Sequence, residues 1–149
     1  ITEPVSDLFR QFDRRKHKDY QGGLEPIPDV VIFKPAIKGD WRRRNRQNTL
    51  TNMLVAIEVK ESEKMNARIQ PGEIRTDILK LKSHRQEAEN QGGEMFPLIM
   101  IIDSAHDQKE RMTEHAIASS LDLARNNQIG FMYCSPTQTI NTIKGIVLS

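Results

Sequence analysis

Alternation of apolar and polar residues is clearest between Met53 and Lys60. In an extended chain the β-branched residues at positions 55, 57 and 59 point to one side, and Ala56, Glu58 and Lys60 point to the other. This pattern predicts a β-strand that carries two charged residues and one small residue on the same face.

Further elements are predicted from apolar runs, helical periods and the Pro and Gly residues that bound them. They are an amphipathic helix over residues 6–18, a strand from Val30 to Phe33, a long loop or hairpin tip over residues 36–50, a helix from about Glu73 to Asn90, a strand from Pro97 to Asp103 buried on both faces, a helix from about Asp107 to Asn126, and a short strand from Ile129 to Cys134. The residues after Pro136 fit a helix and a strand equally well. This order predicts a mixed α/β domain with helices packed on a sheet.

Length and composition narrow the class of protein. The 149 residues fit a single domain, residues 1–149, and the first residue, Ile1, leaves open that the chain is a fragment of a longer protein. The single cysteine excludes an internal disulfide, and no Cys/His spacing fits a zinc site. No apolar run approaches the length of a membrane span. We therefore expect a soluble, intracellular (cytoplasmic) protein without a membrane partner.

The net charge of +2 conceals a basic N-terminal third. Residues 1–46 contain eleven Lys and Arg against seven Asp and Glu, a net charge of +4, so the remaining residues have a net charge of −2. The basic residues cluster at positions 10–18 and 34–46. Such clusters suit a phosphate-binding surface, although solvated surfaces that bind nothing also contain them.

Two short motifs give the strongest indication of chemistry. Pro28-Asp29 enters one predicted strand, and Glu58-Val59-Lys60 lies on the next. Together they resemble the signature of the PD-(D/E)xK nuclease superfamily. The resemblance implies an α/β fold of the restriction-endonuclease-like type, a mixed β-sheet flanked by α-helices. The core of that fold has three strands before its second helix, so a further strand would have to lie within residues 19–27.

The residue types agree with metal-dependent phosphodiester cleavage. Asp29 and Glu58 can supply the oxygen ligands that Mg²⁺ prefers, and Lys60, on the same face as Glu58, can orient or activate a water molecule. Asp29, Glu58 and Lys60 are therefore the predicted catalytic residues, with Mg²⁺ as cofactor and Mn²⁺ as a substitute. The resemblance further implies the backbone carbonyl of Val59 as a metal ligand. A simpler interpretation is that Glu58 and Lys60 form an ordinary charge pair on an exposed strand.

Other polar residues have weaker support. The resemblance suggests an extra acidic ligand in the first helix, Asp7, with Glu3 and Asp13 as rivals. His17 resembles the metal-binding histidine of some viral relatives, but a surface histidine is the simpler interpretation. The predicted nucleic-acid-binding residues are Trp41, Arg42, Arg43, Arg44, Arg46 and Lys80, with Arg75 and Lys82 as further basic residues of the second helix.

Three polar residues near the end of a buried strand, Asp103, His106 and Asp107, suggest a second site at first sight, because ligands gather at strand ends in α/β sheets. We interpret Ser104 or Asp107 instead as a helix cap. The lone Cys134 is interpreted as a core residue.

The sequence therefore predicts a Mg²⁺-dependent endonuclease. Its partner is nucleic acid, and DNA is favoured over RNA because most of the superfamily acts on DNA. The phosphate-binding motifs of ATP and dinucleotide enzymes are absent from the sequence. The alternative is a non-catalytic nucleic-acid-binding or assembly module with the same fold. A homodimer and a fusion to other domains of a longer chain both remain open.

Overall fold

The computed structural model describes residues 28–35, 50–62 and 68–143. Its elements are β1 Val30–Phe33, β2 Met53–Glu61, α1 Pro71–Asn90, β3 Phe96–Ile102, a 3-10 turn Gln108–Glu110, α2 Glu114–Asn126, β4 Gly130–Cys134 and β5 Thr139–Asn141. The predicted α/β class is confirmed, and the four predicted strands and the predicted helix from about Glu73 to Asn90 lie within two residues of their expected positions. The predicted helix over residues 6–18 and the strand implied within residues 19–27 lie outside the described residues.

The described strands form one mixed sheet in which every strand lies beside its neighbour in sequence, in the order β1-β2-β3-β4-β5. The three central strands, β2, β3 and β4, are parallel, whereas the edge strands β1 and β5 are antiparallel to their neighbours. Two successive crossovers in the same direction place both connecting helices on one face of a sheet, since such crossovers are right-handed. Accordingly α1 contacts β2 and β3, α2 contacts β4, and the two helices contact each other.

The hydrophobic core lies between the sheet and these two helices. The sheet contributes fully buried residues on its helix-covered face, including Ala56, Ile99 and Phe131. On the opposite face, Val30 and Ile32 are 45% and 40% exposed, and Met100 is only half-buried among the described residues. On that face of β3, Leu98 is buried whereas Met100 and Ile102 are half-buried, so the prediction of a strand buried on both faces is correct for the helix-covered face and in part for the other.

Local sequence explains the limits of α1. Pro71 occupies its first turn, where a missing N–H costs nothing, and the Glu73 side chain accepts a hydrogen bond from the Gln70 amide at 3.1 Å. The helix is followed by Gly92 with a φ of +79°, a conformation that glycine adopts without strain. The buried stripe Ile74, Ile78 and Leu81 then holds the helix on the sheet.

The predicted helix from Asp107 to Asn126 is wrong in its first part, because the chain forms two separate helical elements there. Asp107 caps the short 3-10 turn by accepting from the Lys109 amide at 2.9 Å, and Thr113 caps α2 by accepting from the Ala116 amide at 3.1 Å. Asp107 is thus a cap, as predicted, but of the 3-10 turn. Ser104 instead pairs with Ser62, whose hydroxyl accepts from the Ser104 amide.

The break between the two elements is explained by the buried carboxylate of Asp103. This carboxylate accepts a hydrogen bond from the Met112 amide at 2.8 Å and another from the Tyr133 hydroxyl at 2.9 Å. Burial raises the pKa of Tyr133 to about 12, and its hydrogen bond to Asp103 contributes to the rise. Arg111 fixes the same loop by donating to the backbone carbonyls of Ala105 and His106. The Asp103 carboxylate and the His106 backbone carbonyl therefore both hold this loop together.

Two further predictions need correction or completion. Residues 50–52 are helical, and Leu50 is buried, so the predicted loop over residues 36–50 does not include its last residue; residues 36–49 lie outside the described ranges. After Pro136, the chain forms strand β5, which pairs with β4. Cys134, at the end of β4, is half-buried. Among the described residues, no helix is both long and apolar enough to cross a membrane.

Replacing Asp103 with alanine tests the role of this loop. We expect the free energy of unfolding of Asp103→Ala to fall by about 3 kcal/mol, because two buried donors lose their acceptor. Urea unfolding followed by circular dichroism measures the change. Gln108→Ala, an exposed position of the same loop, is the control, and we expect it to change stability by less than about 0.5 kcal/mol. Equal stability of the two variants would contradict the assigned role.

Candidate active site

The antiparallel pairing of β1 with β2 brings the two sequence motifs together. Val30 is paired with Ile57, so the same register continued by one residue places Asp29 opposite Glu58. The Val59 amide donates a hydrogen bond to the Asp29 carboxylate at 2.7 Å. The prediction that the two motif-bearing strands are neighbours is therefore confirmed. The pairing attaches Asp29 directly to the Glu58-Val59-Lys60 segment.

The Glu58 side chain lies beneath α1 and is only 4% exposed. It belongs to the helix-covered face of β2, together with Ala56 and Lys60. The Lys80 ammonium of α1 lies 2.6 Å from its Oε1 atom, and the Lys80 side chain is itself 13% exposed. Since an isolated carboxylate is very costly to bury, this ion pair offsets part of the cost of placing Glu58 in the interface.

A second ion pair connects the same two elements. The Lys60 ammonium lies 3.3 Å from the Asp77 carboxylate of α1, and the two side chains are 29% and 14% exposed. Glu58 and Lys60 therefore share a face of β2, as predicted from their spacing. That face is covered by α1, so the interpretation of an ordinary charge pair on an exposed strand is wrong. Each of the two β2 charges pairs instead with an opposite charge on the helix.

Burial has a large effect on the protonation of Glu58. It raises the pKa of this carboxyl from an ordinary value of 4.5 to about 7, against the opposing effect of the Lys80 ammonium. The nearby carboxylates of Asp77 and Asp29 raise the pKa further, because like charges disfavour ionisation. Glu58 consequently changes protonation close to neutral pH, and the neighbouring negative charges favour a cation at this position.

The donor atoms suit a hard divalent cation. Mg²⁺ is usually bound by one or two carboxylates together with water and substrate phosphate, and Asp29 and Glu58 offer two carboxylates on paired strands. In the described ranges, no three Asp, Glu, His or Cys side chains are grouped so that they could hold a metal ion. Asp29 and Glu58 are therefore the two described carboxylates that could contribute to such a site. The roles of the Val59 carbonyl and of Asp7 remain predictions, and Asp7 lies outside the described residues.

The predicted nucleic-acid-binding residues fall into two groups. Trp41, Arg42, Arg43, Arg44 and Arg46 lie outside the described residues, as do Glu3, Asp13 and His17. Lys80 is described, and its ammonium pairs with Glu58 within the site. Of the other two basic residues on α1, Arg75 is exposed and Lys82 is half-buried.

Asp29, Glu58, Lys60, Asp77 and Lys80 together form the charged cluster of the site. Asp77 is the member that the sequence pattern did not identify. Asp77 and Lys80 are three residues apart, a spacing that puts two side chains on one face of a helix. The spacing of Glu58 and Lys60 on one face of β2 was the one sequence signal that could have pointed to Asp77. Two such charges on a buried face need two opposite charges on the element that covers them, but the spacing does not show which helix supplies those charges.

Comparison of the chain with protein-family models, with curated proteins and with solved structures finds no match. The geometry of the described residues is therefore the basis for assigning a function.

The raised pKa of Glu58 predicts a pH-dependent cost in stability. Between pH 4.5 and about 7 the unfolded chain has released this proton while the folded chain retains it, so wild-type stability falls as the pH rises. The Glu58→Gln variant has no carboxyl group at this position, so this contribution to the pH dependence of stability is absent from it. We expect the unfolding free energy of Glu58→Gln to rise relative to wild type by up to about 3 kcal/mol across this interval and to change little above it.

Urea unfolding of both proteins at a series of pH values measures this difference. Glu61→Gln, an exposed position at the end of the same strand, is the matched control for the loss of a carboxylate. A difference between Glu58→Gln and wild type that is constant with pH would contradict the raised pKa.

Proposed function

We propose that this protein is a metal-dependent nuclease with a restriction-endonuclease-like fold, which hydrolyses phosphodiester bonds in nucleic acid, with DNA as the favoured substrate. The observation that carries the proposal is the hydrogen bond from the Val59 amide to Asp29. It holds Asp29 beside Glu58-Val59-Lys60 across paired strands, and this juxtaposition supports shared metal binding by the two carboxylates. The mixed sheet with helices packed on it supports the proposal at the level of fold class.

In this proposal Asp29 and Glu58 hold Mg²⁺, or Mn²⁺ in its place, with the Val59 carbonyl and Asp7 as further ligands implied by the resemblance. A bound divalent ion of this kind lowers the pKa of a water molecule and offsets charge that builds on the phosphate. Glu58 must be ionised to act as a ligand, so metal binding is expected to strengthen as the pH rises through about 7.

In this proposal Lys60 orients or activates the attacking water molecule. Its ammonium is on the same face of β2 as Glu58, and the Asp77 carboxylate at 3.3 Å restrains it. A lysine held in this way can orient the attacking water and donate a hydrogen bond to the charged phosphate. Asp77 acts through Lys60 in this scheme and is a positioning residue.

The second candidate is a non-catalytic nucleic-acid-binding or assembly module. One observation favours it: Lys60 and Lys80 are both paired with carboxylates, which is also what a purely structural set of charges would do. Such a module would not require Asp29 to lie against the Glu58-Val59-Lys60 segment. Activity measurements separate the two functions directly.

The decisive experiment incubates the protein with linear, circular and single-stranded DNA and with RNA, in Mg²⁺, in Mn²⁺ or in EDTA. We expect cleavage that depends on the divalent ion. Lys60→Met should reduce the rate by about 10²-fold to 10⁴-fold, as expected for loss of a general catalyst. It should leave metal binding and DNA binding intact, whereas Asp29→Asn and Glu58→Gln should weaken metal binding itself.

The exposed Lys109 provides the matched control, because Lys109→Met removes a lysine of the 3-10 turn that has no assigned role in the site. Circular dichroism should first show that each variant is folded. Cleavage by Lys60→Met at the wild-type rate would refute the role of this lysine. Binding of nucleic acid without cleavage under any condition would favour the non-catalytic module.

The arginine-rich segment supplies a separate test of nucleic-acid binding. Its four arginines, at positions 42, 43, 44 and 46, are predicted from the sequence to bind phosphates. Removing one arginine that binds a phosphate should reduce the slope of log affinity against log salt concentration by about 0.9 for duplex DNA. Replacing all four with glutamine should therefore flatten the slope by several units, measured in Ca²⁺ to prevent turnover. An unchanged slope would leave the basic cluster at residues 10–18 as the better candidate.

A further inference from the structure

The Lys80 ammonium lies where a cation must approach Glu58. It contacts Oε1 at 2.6 Å, and both side chains are largely buried. The neighbouring helix residue Leu81 is fully buried, and so is Ile78 two positions before Lys80, so the backbone of α1 is held firmly at this point. The long, flexible side chain of Lys80 is therefore the part that can move.

A divalent cation and the Lys80 ammonium would compete for the same carboxylate. A Mg²⁺ ion coordinated by Glu58 would lie about 2.1 Å from a carboxylate oxygen. An ammonium that remained in hydrogen-bonding contact with that carboxylate would then be only a few ångströms from a doubly charged ion. Repulsion at such a distance is strong in a partly buried environment, where water screens charges weakly.

The charges around Glu58 favour replacement of the Lys80 ammonium by a divalent cation. Asp29, Glu58 and Asp77 supply three carboxylates, and Lys60 and Lys80 supply two ammonium groups. Lys60 is engaged with Asp77 at 3.3 Å, so Lys80 is the cation that neutralises Glu58. Its side chain retains 13% exposure, which gives the ammonium a route to solvent without unfolding of the helix.

We propose that Lys80 is a displaceable counter-cation of the metal site: its ammonium neutralises Glu58 before a divalent cation binds, and binding of that cation expels it. This inference rests on the metal site of the proposed function and adds to it. Lys80 spares the fold the cost of an unpaired buried carboxylate, and at the same time it weakens metal binding. Once released, the ammonium is close enough to the site to contact a substrate phosphate.

Calcium binding measured by calorimetry tests the competition independently of cleavage. At about pH 9, where the Glu58 carboxyl is ionised, Lys80→Met should bind Ca²⁺ about tenfold more tightly than wild type, because a competing positive charge has been removed. Lys82→Met should bind with wild-type affinity, and Glu58→Gln should bind weakly. Unchanged or weaker Ca²⁺ binding by a folded Lys80→Met variant would overturn the inference.

A second measurement uses the wild-type chain and does not depend on the folding of any variant. An amine-acylating reagent followed by mass spectrometry reports how accessible each lysine is. Saturating Ca²⁺ should increase the labelling of Lys80 severalfold and leave Lys82 unchanged. If Ca²⁺ binds and Lys80 remains protected, the displacement is refuted while the metal site stands. If wild type shows no Ca²⁺ binding that depends on Glu58, the metal site and the proposed function fail together.

Discussion

The burial of the Glu58 carboxylate between β2 and α1 is the constraint on which the rest of the site depends. A carboxylate in such a place is costly unless it is paired, and α1 meets this requirement with the Lys80 ammonium. The same face of β2 presents Lys60, which α1 matches with Asp77. The helix and the strand are thus joined by two ion pairs of opposite polarity. An apolar interface of similar shape would be easier to stabilise, so these ion pairs are weak evidence for a purely stabilising role.

The framework around these charged residues holds the backbones of their three elements in place. Both crossovers run in the same direction along the sheet, which places both helices on one face. Ile74, Ile78 and Leu81 bury one side of α1 in the core, and this fixes the height of Asp77 and Lys80 above the strand. Asp29, supplied from the adjacent edge strand, completes the cluster through its hydrogen bond with the Val59 amide. The charged groups therefore come from three elements that the core holds together.

Asp103 shows that a buried carboxylate is not by itself an indication of chemistry. It follows β3 at the same end of the parallel strands, but a backbone amide and the Tyr133 hydroxyl both donate to it. Glu58 differs because its main partner is the ammonium of the Lys80 side chain and because the carboxylates of Asp77 and Asp29 also raise its pKa. The first arrangement fixes a loop, whereas the second joins a strand to a helix through ion pairs.

Local sequence determined the elements and the two motifs, whereas tertiary packing decided what the charges do. Alternation in β2 and the apolar stripe of α1 show which side of each element faces the core. The bounds of this strand and this helix were therefore predictable to within two residues at each end. The partners of Glu58 and Lys60 lie 22 and 17 residues away along the chain, and no local period specifies which helix will cover a strand. The break before α2 escaped prediction for the same reason, since it depends on Asp103, nine residues before Met112, accepting a backbone hydrogen bond. The period of apolar residues shows which side of an element faces the core. The burial of a charged residue, the shift in its pKa and its ion-pair partner are decided only when distant segments come into contact.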